Sequence, residues 1–131
     1  MSEKVSKRQT GNLGEDAVCA WLERQGAKIL CRNYTIRGGE IDIIAQQDDF
    51  LLIVEVKTRR PGAMQSGAAA VDKKKQQHII RTAEQYLLTH PVDLQPRFDV
   101  AEVEYSGAFV RHIEYIENAF DASGQCVAPL I

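Results

Sequence analysis

Residues 38–60 read GGEIDIIAQQDDFLLIVEVKTRR, and four charged residues, Glu40, Asp42, Glu55 and Lys57, stand inside two runs of Ile, Val and Leu. Such runs have the composition of buried strands, where an unpaired charge destabilises the core. A turn centred on Asp48-Asp49 sets the two runs antiparallel, with Asp42 opposite Glu55 and Glu40 opposite Lys57. Residues directly opposite lie about 4.5–5.5 Å apart at Cβ, so like charges there repel. Protonation, a cation between the two carboxylates, or Lys57 alone can reconcile the pair with stability. The reading with chemical content is a hard divalent ion such as Mg²⁺. Mg²⁺ takes oxygen ligands, keeps several waters and commonly uses only one or two protein carboxylates beside substrate phosphates. Asp42 and Glu55 supply that pair, and the backbone carbonyl of Val56 offers a third oxygen. Lys57 is then placed to orient or deprotonate the attacking water and to stabilise charge on a phosphate, so the implied reaction is phosphodiester hydrolysis.

Further charges extend this pattern. Glu15 and Glu40 are candidates for a second metal or for outer-shell water. Arg59, Arg60, Lys73, Lys74 and Lys75 are candidates for flanking phosphates, contacts that position a nucleic acid without reading its sequence. The net charge is only −2, yet residues 57–81 hold 7 basic side chains against 1 acidic one. Plainer readings stand beside these. Glu-x-Lys on a strand is commonly a solvated face, Glu15 suits a helix cap, and three lysines at a helix start are commonly solvated. His78, His90 and His112 have no partner pattern and read as surface or packing residues.

The elements that must position these residues follow from periodicity. Asn12-Leu13-Gly14-Glu15 reads as a capping box opening a helix over 12–25, with Gly26 as its stop. Residues 28–34 read as a strand, Gly38-Gly39 as a turn, and 40–46 and 50–58 as the strand pair, with Ile41 and Ile43 packing against Val54 and Val56. Pro61 to Ala70 reads as a loop. Asp72 caps a helix over 73–89 whose stripe is Ile79, Ile80, Ala83, Tyr86, Leu87 and Leu88, ended by His90-Pro91. Its three leading lysines oppose the helix macrodipole, which makes an external anion a plausible partner. Alternation predicts strands near 97–104 and 109–116, and little signal follows from Asn118.

At 131 residues and 44% apolar content, the chain is sized for one core. The expected division is a flexible tail over 1–10, a single domain over 11–121 and a C-terminal tail over 122–131. Cys19, Cys31 and Cys126 fit neither a zinc pattern nor a disulfide framework, and no signal peptide or membrane span is evident. A soluble cytoplasmic protein is expected. No Gly-rich phosphate loop, Ser or Cys nucleophile constellation or cofactor fingerprint is present.

Asp42 followed by Glu55-Val56-Lys57 resembles the PD-(D/E)xK signature of restriction-endonuclease-like nucleases, with Ile41 in place of the proline. Over nearly the whole chain the sequence resembles the YraN-like family of bacterial proteins. That likeness is carried by Gly11 to Glu15, Asn33, Gly39 to Ile44, Val54 to Arg59, Lys75, Ala83, Tyr86-Leu87, Arg97 to Val100 and Asn118 to Phe120. The resemblance implies an α/β fold, a three-layer α/β/α core of order αβββαβ with a mixed central sheet, similar to archaeal Holliday-junction resolvases. It implies that Asp42 and Glu55 bind Mg²⁺ or Mn²⁺, that Lys57 assists the water, and that Glu15 completes the site. DNA, branched DNA included, is the implied partner, and a homodimer the implied assembly. The rival expectation is a module on the same fold that binds nucleic acid or protein without turnover.

Overall fold

The computed structural model describes residues 7–61 and 71–122, with side chains from Asn12 onward. The expected loop over 62–70, Cys126 and most of both expected tails lie outside the described residues. Helix α1 (Lys7–Arg24) buries Val18, Cys19 and Leu22 along one stripe. It ends where Gly26, at φ 93°, lets Ala27 N donate to Leu22 O and Gly26 N to Glu23 O, both at 3.0 Å. The helix begins at Lys7, so Asn12 to Glu15 lie inside it and the expected capping box is not one.

Strands β1 (Lys28–Ile36), β2 (Gly39–Gln47) and β3 (Phe50–Arg59) form an antiparallel meander. The β2–β3 turn is the expected one, with Asp48 at φ 54° and Gln47 paired to Phe50. Helix α2 (Lys73–Thr89) then carries the chain to β4 (Gln95–Ser106), which lies parallel to β3, as a parallel neighbour requires a crossover. Asp72 caps α2 by accepting from Lys75 N at 2.8 Å. β5 (Phe109–Phe120) returns antiparallel to β4, giving a mixed sheet of order β1-β2-β3-β4-β5.

Strand alternation gives this sheet two cores. Ile43, Leu52, Val54, Ala101 and Val103 pack with α1 on one face, while Ile44, Leu51, Ile53 and Val100 pack with Ile79, Ile80, Ala83 and Tyr86 of α2 on the other. The result is an α/β fold with the sheet between the helices. Leu88, expected in the α2 stripe, is exposed instead. β5 also runs past the expected end, to buried Ala119 and Phe120. Its alternation is broken by a register shift near Asn118, whose φ is 53° and whose N–H is held by Asp99 Oδ1 at 2.9 Å.

No described helix is long and apolar enough to cross a membrane. Cys19 and Cys31 are free.

Candidate active site on the splayed strands

Side-chain alternation alone brings Glu55 and Lys57 to the α2 face of β3, two residues beyond Ile53. What places Asp42 beside them is a break in regularity. Arg32 and Ile43, paired across β1 and β2, serve the α1 side, where Arg32 bonds Asp16 at 2.8 Å. Tyr34 and Ile41, the pair two residues along, pack on the α2 side. A regular strand would keep both pairs on one face. Between them Asn33 adopts φ 53°, a conformation that asparagine tolerates better than β-branched residues. Ile41 therefore does not join Val54 and Val56 as expected.

At the same point the β2–β3 ladder stops. The register runs from Gln47–Phe50 to Ile43–Val54, as expected from the turn, and there the backbone pairing gives way to a side chain: Val56 N donates to Asp42 Oδ2 at 2.8 Å. The carboxylate thus satisfies a strand donor that the partner backbone no longer meets. Glu40 is opposite Thr35 on β1, so the expected pairing of Glu40 with Lys57 is not formed.

The Asp42 and Glu55 side chains are neighbours, close enough for each to bear on the titration of the other. Burial first, and then the charge of Glu55, pushes the Asp42 carboxyl up to about 7, against the lowering effect of the Val56 N–H; Glu15 and Glu40 add to the rise. Burial also raises Glu55, whose side chain is only 7% exposed, while Lys75 and Lys57 oppose that rise. Lys57 Nζ lies 3.5 Å from Glu55 Oε1, and Lys75 Nζ reaches the same oxygen at 3.8 Å. Burial thus favours the protonated form at both carboxyls.

Glu15 is brought in from the other face. Gly14 allows the approach: a Cβ there would sit 2.6 Å from Thr58 Oγ1, so α1 rests against β3 only because the residue has no side chain. Glu15 Oε1 then accepts from Asn33 Nδ2 at 3.0 Å and from Arg32 at 3.5 Å. Of the expected phosphate contacts, Lys73, Lys74 and Arg60 are exposed, whereas Lys75 is turned into the site. Arg59 is half-buried, with a buried Nε that meets no hydrogen-bond partner among the described residues.

Lys75 was expected as a phosphate contact and not beside the carboxyls, and Asn33 and Glu102 were not expected at the site. Lys75 was legible as a cation but not as a partner of Glu55, because the pairing depends on how α2 crosses the sheet. Asn33 gave a signal, an asparagine within a β-rich run. Glu102, fully buried and in register with Lys57, alternates to the α2 face with Val100; its signal was the acid inside AEVEY.

The donor set suits a hard divalent cation in chemistry: two adjacent buried carboxyls whose repulsion such a charge would relieve. Among the described residues no three His, Cys, Asp or Glu side chains converge as a complete cage. Solvent, the Val56 carbonyl or substrate oxygens would supply the other ligands.

The fold and site define an α/β protein with a paired-carboxyl and lysine centre at the point where two strands part. Residues 14–103 match the Uncharacterised protein family UPF0102. A UPF0102 protein of Nitrosomonas europaea is 41% identical over 116 residues, covering 86% of this chain and 97% of that protein. One from Syntrophotalea carbinolica is 44% identical over 115 residues, covering 87% and 93%. A third, from a Synechococcus species, is 39% identical over 128 residues, covering 92% and 96%. The chain belongs to the UPF0102, or YraN, family.

Proposed function

We propose that this protein is a metal-dependent endonuclease that hydrolyses phosphodiester bonds in DNA, branched DNA among its substrates. The observation that carries the proposal is the buried Asp42–Glu55 pair with the Lys57 amine 3.5 Å from Glu55. Asp42 and Glu55 hold Mg²⁺ or Mn²⁺, with the Val56 carbonyl beside them. The ion, when bound, supplies positive charge against the developing phosphate charge and polarises the attacking water. Lys57 orients that water and stabilises the transition state. Glu15, fixed by Asn33, and Glu40 hold outer-shell water. Arg59, Arg60, Lys73 and Lys74 contact flanking phosphates, which sets position rather than sequence preference. A homodimer in the cytoplasm, engaging two strands of a branched substrate, completes the proposal.

Purified protein should nick DNA with Mg²⁺ or Mn²⁺, and Asp42→Ala or Lys57→Ala should abolish nicking with the fold intact by circular dichroism. Failure of the wild type to cleave linear, circular and four-way DNA with either ion would sink the enzymatic reading. A second reading, a module that grips nucleic acid without turnover, is favoured by the lack of a third converging ligand among the described residues. It predicts DNA binding with no metal-dependent cleavage.

A further inference from the structure

Glu55 is the meeting point of two amines from different elements. Lys57 arrives along β3 itself, on the same strand face. Lys75 arrives from the first turn of α2, across the layer, and approaches the same Oε1 atom at 3.8 Å. The two differ in what else they can do. Lys57 is mostly enclosed, while the Lys75 side chain is 40% exposed and flanked by exposed Lys73 and Lys74. A long, flexible ammonium side chain with that access can leave its partner at little cost. Its position is also unfavourable within its own helix, since a cation in the first turn opposes the macrodipole.

We infer that Lys75 is an exchangeable counter-ion: it neutralises Glu55 in the metal-free protein and transfers to a substrate phosphate when a divalent ion takes Glu55. This rests on the metal-binding role proposed for Asp42 and Glu55. Lys75 is then a competitor of the metal and a contact of the substrate, two roles with opposite signs on mutation. A solvated surface lysine would show neither, and a lysine that only braces the site would weaken metal binding when removed.

The test is calorimetric titration of Mn²⁺ into the DNA-free full chain, with Lys75→Met, Lys75→Gln and Lys75→Arg beside the wild type. A partly exposed pair of this kind corresponds to about a five-fold effect. Mn²⁺ should bind about that much more tightly to Lys75→Met and Lys75→Gln, and with wild-type affinity to Lys75→Arg. In parallel, binding of a fluorescent four-way DNA measured with saturating Ca²⁺, a divalent ion that occupies the carboxyls while slowing cleavage, should weaken several-fold in the Met and Gln variants and recover in Lys75→Arg. Wild-type binding of Mn²⁺ with equal or weaker binding by Lys75→Met overturns the inference and leaves the metal site standing. Absence of Mn²⁺ binding in the wild type removes the site and the inference together.

Discussion

The sharpest consequence of the buried acidic pair is that the metal-free protein should be stabilised by damaging its own site. The folded-state Asp42 carboxyl is held near 7 against an ordinary value of 3.8, mainly by burial and then by Glu55. That difference corresponds to about 4 kcal/mol of stability, fully present below the unfolded value and lost as pH rises through the folded one. The window of loss is therefore about pH 4 to 7. Asp42→Asn removes the charge and retains an oxygen acceptor for Val56 N. Because Asp42 titrates against its buried neighbour Glu55, only part of that total belongs to the substitution, and crediting half gives a gain of about 2 kcal/mol at pH 8. At roughly 4 °C per kcal/mol for a chain of this size, the midpoint of thermal unfolding in EDTA should rise by about 8 °C. At pH 4 the variant and wild type should differ by little. Saturating Mn²⁺ should reverse the order at pH 8, since only the wild type gains binding energy. The reasoning is refuted if Asp42→Asn lowers stability at pH 8 in EDTA, because the carboxylate would then be a stabilising partner of Lys57 and not a strained one.

Gly14→Ala should destabilise by roughly 1–2 kcal/mol, because the added Cβ meets Thr58 Oγ1 at 2.6 Å. In a Thr58→Ala background the same change should stabilise slightly through helix propensity, a sign reversal that urea denaturation would read. Lys57→Met should cost no more than about 1 kcal/mol, as expected for a partly exposed ion pair 3.5 Å long, while abolishing nicking in a plasmid assay. Asp99 is fully buried and accepts from Arg97 Nε at 2.9 Å, Tyr115 Oη at 2.5 Å and Asn118 N at 2.9 Å. Asp99→Ala should therefore cost about 3–5 kcal/mol by leaving Arg97 without its buried partner, and Tyr115→Phe about 1 kcal/mol, both measurable by chemical unfolding.

Period and turn chemistry made most of the elements legible. Ile, Val and Leu alternation located β3, and Asp72 and Gly26 marked real helix ends, because both act through local backbone geometry. Failures came where a local signal was ambiguous. Asn12 to Glu15 spells a capping box, yet the helix continues N-terminally from it, since such a motif is equally compatible with a helix interior facing its neighbours. β5 beyond Ile116 lost its alternation because the register shift near Asn118 is held by Asp99, a residue nineteen positions away in the chain.

The site was legible in its composition and not in its construction. Turn geometry predicted the pairing from Gln47–Phe50 to Ile43–Val54, but continuing that ladder would leave Asp42 as one more cross-strand side chain. Instead the strands part there, and Asp42 replaces backbone as the acceptor for Val56. A structural carboxylate of this kind and a metal ligand make different demands. The first needs one oxygen aimed at one N–H, whereas the second needs an oxygen facing a like-charged neighbour, an arrangement that costs stability unless a cation arrives. Asp42 meets both demands, and the second has no structural benefit to offset it. That imbalance is the physical ground for reading the pair as functional.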